Sequence, residues 1–466
     1  MTEQLQKTLR DKAWARWLVL ALIASTMFFA YMFVDVLSPL KTMLEKEVNW
    51  NSTVFGIYSG SEFFLNVFFL FLIFAGIILD KMGVRFTAIL SGSLMVIGAL
   101  IKVYALSKSF NQGTSALYTW LGSWWTAMPP SAKLASLGFM IFGCGTEMGG
   151  VTVSRAIVKW FEGKEMALAM GIEMAVARLG VFAVFRMSPA VAERLNTVQA
   201  PVIVCCILLC IGLLFYLIYA LFDIKLDRQM KNQNFEEEEP FHFLDLGKIF
   251  ANVNFWIVAL LCLLYYSAIF PFQKYATEML QSNLGMDPKA AANIFSYFPI
   301  GAMIITPFLG AFLDYKGKGA TMLMIGSILM ILCHGIFALY PFVPGDAVSL
   351  YVAYIAIVLL GISFSLVPAA LWPSMPKLID KKVLGSAYSV TFWIQNIGLM
   401  VVPIVIGNVL DAVNKELPAG EPRDYTVPML IFTSFGVAAL ILSIVLKGVD
   451  AKRHLGLELP NVQKNK

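Results

Sequence analysis

Charge is scarce in this 466-residue chain. Asp, Glu, Lys and Arg make up only 14% of it, against 59% hydrophobic residues and a mean hydropathy of +0.74. That balance excludes a soluble domain of any fold and puts the chain in a lipid bilayer. Histidine is rarer still. His242, His334 and His454 are dispersed, and with no Cys/His pairing or metal-spaced acids the sequence offers nothing to a metalloenzyme. The six cysteines, Cys144, Cys205, Cys206, Cys210, Cys262 and Cys333, all fall inside apolar runs, so they read as packing residues rather than disulfide or zinc partners. There is no G-x-x-x-x-G-K-[ST] run and no soluble stretch large enough for a nucleotide-hydrolysing or sensory output domain, which argues against ATP-driven transport and against a receptor. The formal charge of +5 comes from short basic clusters between apolar runs, not from one stripe, so nucleic acid is not the expected partner. No cofactor is called for.

What the sequence has in abundance is apolar runs of spanning length. They recur at residues 17–37, 54–79, 86–106, 134–158, 166–186, 198–222, 253–272, 290–313, 320–340, 350–372, 384–410 and 427–446. Twelve transmembrane helices are therefore expected in an all-α integral membrane protein. The first run follows a basic start (Lys7, Arg10, Lys12, Arg16) and no small-x-small cleavage site comes after it, so it reads as a retained helix. A polar segment with Lys225, Arg228, Lys231 and the run Glu236-Glu237-Glu238-Glu239 divides the helices six and six. The expected organisation is two six-helix bundles, residues 1–222 and 251–466, joined by a solvated linker at 223–250 with a short surface helix over 241–250. Lys and Arg concentrate in the loops on the side of the termini, so both termini are expected in the cytoplasm. Trp120, Trp124 and Trp125, in the largest loop of the other side, read as interfacial anchors.

Residues 142–189 carry the chemistry. They set Glu147, Arg155, Glu173, Arg178 and Arg186 into two apolar runs around a short polar hinge, Lys159 to Glu165. Counting from the hinge at about 1.5 Å per residue places Glu147 roughly 15 Å into one helix and Arg178 roughly 18 Å into the next. An acid and a base then share one depth on neighbouring helices, where a charge is costly unless it faces a partner or water. The simplest alternative is a structural ion pair fastening the two helices. The surplus of arginines favours a substrate path.

The halves also echo each other. Gly76-Ile77-Ile78-Leu79-Asp80-Lys81-Met82-Gly83-Val84-Arg85 follows the second run, and Gly310-Ala311-Phe312-Leu313-Asp314-Tyr315-Lys316-Gly317-Lys318 follows the eighth. The shared Gly, Asp, Gly and basic spacing indicates an internal duplication. The first copy resembles the loop signature of the major facilitator superfamily. That resemblance implies two pseudo-symmetric bundles rocking about a central site, with Asp80, Lys81, Arg85 and Asp314 gating the cytoplasmic side.

A narrower resemblance lies in Gly143-Cys144-Gly145-Thr146-Glu147, Trp160-Phe161, Ala177-Arg178-Leu179-Gly180, Phe270-Pro271-Phe272, Leu371-Trp372-Pro373-Ser374-Met375-Pro376 and Gln395-Asn396-Ile397-Gly398. These, with Asp35, Asn66 and Val67, resemble the lysosomal dipeptide transporter branch of that superfamily. The resemblance implies carriage of short peptides, with Glu147 holding the α-ammonium, Arg178 the α-carboxylate, and Asn396 on the same ligand. Independently, an arginine fork suits a carboxylate and an acid suits an ammonium. Tyr31, Tyr266, Trp372 and Trp393 are candidates for the cavity walls, although each taken alone is better explained by helix packing.

The chain departs from the branch at Arg155, Glu173 and Arg186. Extra guanidiniums near the site would extend its range to acidic peptides or other organic anions, whereas snorkelling of Arg186 or pairing of Arg155 would not. Asp35, Glu62, Glu147 and Glu173 qualify by position as proton-coupling acids; Asp35 and Glu62, near outer helix ends, also fit capping or a solvated rim. Uniport and proton symport therefore both stand, as does a symporter or exchanger for organic anions, sugar phosphates or nucleosides on the same scaffold. The expected setting is a bacterial inner membrane, with an accessory subunit left open.

Overall fold

The computed structural model describes residues 8–229, 246–380 and 383–460; the acidic run Glu236 to Glu239 lies outside them, as does the first half of the helix expected over 241–250, of which Leu246–Phe250 is helical. Among the described residues, eleven helices are long and apolar enough to cross a membrane. The expected second crossing is the one that no single helix supplies. It is assembled from Ser52–Ser61, Phe64–Phe69 and the start of Phe71–Ala105, and Gly83, at φ 77° and ψ 169°, breaks that last helix to start the third crossing. Only glycine takes such a backbone angle without strain, which is why the shared loop motif carries one there. The eighth crossing is one of the eleven, bent at Ser296 where Pro288–Phe295 leads into Tyr297–Lys316.

Several spans outrun their apolar cores. The seventh continues from Val253 to Leu284 instead of ending at 272: it runs on through Pro271 and closes at Gly285, whose φ of 64° makes the left-handed cap. Gln273, Lys274 and Glu278 are thereby inside a helix facing the protein and not in a loop. The fourth span is Pro130–Phe161, the fifth Met166–Leu195, the tenth Ala347–Leu378 and the eleventh Leu384–Val413.

Within the first half, the third span packs on the fourth and the first span on the fifth and sixth; within the second, the ninth packs on the tenth and twelfth. The halves meet where the second span lies on the eleventh and the fifth on the eighth. Small residues make the first of these contacts close: a Cβ on Gly56 or Gly60 would meet the carbonyl oxygens of Pro403 or Met400 at 2.3 Å, and one on Gly407 the Ser52 carbonyl oxygen at 2.2 Å.

On the side that carries the termini, the described ion pairs tie each half to itself. Asp80 binds Arg155 at 2.7 Å, Arg85 binds Asp227 at 2.6 Å, and Lys159 binds Asp223 at 2.7 Å. Lys81 is exposed. Asp314 lies near the end of the eighth span, where the loop after it hydrogen-bonds to the C-terminal tail through Lys318 N–H and the Glu458 carbonyl at 3.1 Å.

Candidate functional site

A cavity of about 340 Å³ lies between the halves. The first half contributes Tyr31, Glu147, Glu173 and Arg178 to its wall, and the second contributes Tyr266 and Asn396. Glu147 and Arg178 project from the fourth and fifth spans, as the count from the hinge requires, and both are partly open to the cavity. Neither forms an ion pair among the described residues. The Arg178 guanidinium instead lies over the Phe364 ring of the tenth span, 4.3 Å from its centroid, and Glu147 faces the Asn396 amide of the eleventh. Each charge is thus held by a neutral group from the opposite half. An aromatic face steadies a guanidinium without consuming its hydrogen-bond donors, so the fork stays available to a ligand.

Four residues expected at the site stand elsewhere. Trp372 donates its indole N–H to the Tyr266 hydroxyl at 3.3 Å and stacks on Phe392 at 4.8 Å, which makes it a support behind the wall. Trp393 donates to the Val67 carbonyl at 2.9 Å and joins the eleventh span to the second. Arg155 is engaged by Asp80 near the terminal side. Arg186 donates to the Ser296 hydroxyl at 3.3 Å and packs its guanidinium between Phe182 and Tyr297, so it bridges the fifth and eighth spans. None of the four lines the cavity, and the surplus of positive charge read from the sequence is absent from it.

The acids behave in the opposite way. Asp35 and Glu62 form no solvated rim: they are 1% and 6% exposed, and both line the cavity with Glu173. The extension of the seventh span explains this. Lys274 meets Asp35 at 2.9 Å, and Gln273 donates to the other Asp35 oxygen at 2.5 Å, so a carboxylate from the first half is neutralised by a cation from the second. Lys274, Gln273 and Phe364 are cavity-lining residues that hydropathy alone does not reveal. Lys102, inside the third apolar run, is a signal that was legible: it is fully buried, with its amine 3.9 Å from the Phe33 ring centre and 4.1 Å from that of Phe139.

Beyond Asp35, the side away from the termini is clasped. Lys41 binds Glu278 at 2.6 Å, Arg423 binds Glu45, Tyr425 donates to Glu278, and Asp411 accepts the backbone N–H groups of Ser52 and Thr53 at 3.1 and 2.7 Å. Three of these four links cross from one half to the other.

A polytopic helical bundle closed on one side, with a charged cavity at the junction of its halves, defines a membrane carrier. The chain belongs to the Major Facilitator Superfamily, whose family model matches residues 23–403. It is a transporter, not an enzyme. It is 26% identical over 462 residues to the zebrafish (Danio rerio) protein named lysosomal dipeptide transporter MFSD1, covering 97% of this chain and 90% of that one. The human (Homo sapiens) protein of the same name is 26% identical over 407 residues, covering 85% and 80%. Among solved structures, nucleoside transporter NupG superposes with a TM-score of 0.64 at 14% identity, over 92% of this chain and 99% of that one. A chain from a study of proton dependent oligopeptide transporters superposes with a TM-score of 0.65 at 14% identity, over 94% and 100%. Identities this low establish the shared fold alone.

Proposed function

We propose that this transporter carries short peptides, dipeptides above all, and reads them by their charged ends, with Glu147 taking the ammonium and Arg178 the carboxylate. The observation that carries the reading is that these two groups line one cavity without pairing with each other. A zwitterion entering between them would supply each with its missing partner. The cavity lies within the usual size range for small-ligand sites, and Tyr31, Tyr266 and Phe364 give it walls that do not discriminate between side chains. The names of the 26%-identical relatives support the same cargo. A pure organic-anion carrier would leave Glu147 without a use.

On this reading the six-helix bodies 1–222 and 251–466 rock about the cavity, with 223–250 between them, and both termini lie in the cytoplasm of a bacterial cell. The clasped side is then the outer one, and the state described opens inward. Asp80, Arg85 and Asp314, which stand at the cytoplasmic span ends, rearrange when that side closes. Asp35 and Glu173 are the acids through which a proton would couple. The test is a thermal-shift screen of the purified protein against dipeptides, free amino acids, nucleosides and dicarboxylates, repeated with Glu147→Gln and Arg178→Ala. Stabilisation by dipeptides that both substitutions remove is expected. Stabilisation by dicarboxylates or nucleosides alone would overturn the proposal.

A further inference from the structure

Among the described residues of the first half, three lysines are buried: Lys41, Lys102 and Lys133. Lys41 is held by Glu278, and Lys133 donates to the Leu121 and Trp124 carbonyls. Lys102 has no acceptor at all, and it does not line the cavity. An amine enclosed without an acceptor is costly, and an apolar residue would fill the same space without that cost. Its place in the fold gives it a use in another state. Lys102 stands in the last turn of the third span, Phe71–Ala105, at the height where the first span ends with Asp35. Its amine lies 3.9 Å from the ring centre of Phe33, two residues before Asp35, and 4.1 Å from that of Phe139. The Lys274 amine, which pairs with Asp35 at 2.9 Å, is 6.0 Å from the same Phe139 ring centre. Two amines, one from each half, thus border a single ring close to one carboxylate.

The partners of Asp35 divide unevenly between the halves. Lys274 and Gln273 belong to the second, and the Ser38 hydroxyl, at 2.9 Å, to the first. Opening of the clasped side, which the rocking of one bundle against the other requires, takes both second-half donors away and leaves the carboxylate one neutral donor. The clasp farther out re-pairs within its own half. Lys41 loses Glu278 and Glu45 loses Arg423 in that movement, but Lys41 and Glu45 stand four residues apart on the helix Lys41–Val48, a spacing at which they meet each other. For Asp35 the available cation is Lys102, whose four-carbon stem lets its amine swing by several ångströms.

We propose that Lys102 is a positioning residue of the transport cycle: when the clasped side opens and Lys274 withdraws, the Lys102 amine takes over the Asp35 carboxylate. Asp35 is thereby handed from a lysine of the second half to a lysine of the first, and the amine that lacks an acceptor in the clasped state gains one in the open state. The proposal rests on the rocking of the halves and not on the identity of the cargo.

The experiment is a cycle of thermal midpoints on the purified full-length protein, in which Lys274→Met imitates the withdrawal of the second-half cation. In the wild-type background Lys102→Met removes an amine without an acceptor and raises the midpoint. In the Lys274→Met background the same substitution is expected to lower it by several degrees, and Lys102→Arg to keep most of it, because the amine has become the partner of Asp35. Adding Asp35→Leu should restore the rise. An effect of one sign in every background means that the amine only fills its enclosure of rings, and overturns the proposal. So does a reversal that persists without Asp35 and is lost in Glu62→Gln, which would make Glu62 the acceptor. Lys102→Met alone gives a second measurement that does not depend on the folding of the multiple variants. In proteoliposomes its uptake of alanyl-alanine is expected to fall about tenfold while the thermal shift produced by alanyl-alanine is retained, with Lys102→Arg recovering the uptake. Uptake by Lys102→Met at the wild-type rate overturns the proposal. A wild type that takes up no dipeptide overturns the cargo reading instead, and the midpoint cycle, which needs no cargo, then decides the role of Lys102.

Discussion

Asp35 on the first span and Lys274 on the seventh pair at 2.9 Å across the two halves, and both face the cavity. One ion pair therefore belongs to the cavity wall and to the closed side at once. A ligand that alters the field at Asp35 acts on a bond that must break before that side can open, which is a physical route from binding to gating. The claim needs the pair to be energetically coupled, and that is measurable.

Removing one partner of a buried ion pair leaves the other charge uncompensated and costs about 3–5 kcal/mol, whereas removing both restores much of the loss. Asp35→Leu and Lys274→Met are each expected to lower the thermal midpoint, and the double variant to lie above both. The cycle is read by thermal unfolding of purified protein in detergent. Additive losses would show that the two groups do not interact.

Farther out, Arg423 is surrounded by three acids. It binds Glu45, and its guanidinium lies 3.8 Å from Glu278 and 3.9 Å from Asp411. Arg423→Gln leaves those acids facing one another, and like charges at such distances repel strongly where water is excluded. The clasp is expected to loosen. Hydrogen–deuterium exchange should rise in Lys41–Val48 and in the end of the seventh span, with little change near the termini. Unaltered exchange on the clasped side would mean that Arg423 does not hold the halves together.

How much of this was legible beforehand depends on which property each feature follows. The crossings were legible because twenty apolar residues cannot be placed elsewhere, and Gly83 with Asp80 and Arg85 marked the turn between the second and third. Glu147 and Arg178 stood out as charges deep inside apolar runs. Lys274 did not, because hydropathy falls off at Phe272 while the helix continues to Gly285; a window measures polarity, and helix ends follow caps. Arg155 and Arg186 misled for a related reason. Depth is readable from sequence, but direction depends on the neighbouring helix, and Asp80 and Ser296 come from segments far away in the chain.

The contact between the second and eleventh spans offers a steric test. A Cβ on Gly407 would lie 2.2 Å from the Ser52 carbonyl oxygen, and backbone on both sides leaves nothing flexible to yield. Gly407→Val is expected to force the spans apart, costing about 1–3 kcal/mol by overpacking in this state. The thermal midpoint should fall and labelling of the clasped side by a water-soluble probe should rise. If the variant keeps the wild-type midpoint and labelling, the close approach of these helices is not required.

Lys102 poses the reverse problem, a basic group with no acid beside it. Its amine is fully enclosed, has no hydrogen-bond partner, and rests 3.9, 4.1 and 5.2 Å from the ring centres of Phe33, Phe139 and Tyr58. Aromatic faces return about 2 kcal/mol to a desolvated cation, less than the several kcal/mol lost on leaving water. Lys102→Met keeps the length of the side chain and removes that deficit, and a thioether packs well against aromatic rings. A higher thermal midpoint is expected. If the midpoint instead falls by several degrees, the amine is contributing to this state through its field on Glu62 and Asp35, and the enclosure by three rings is a binding site for the charge and not merely a cost.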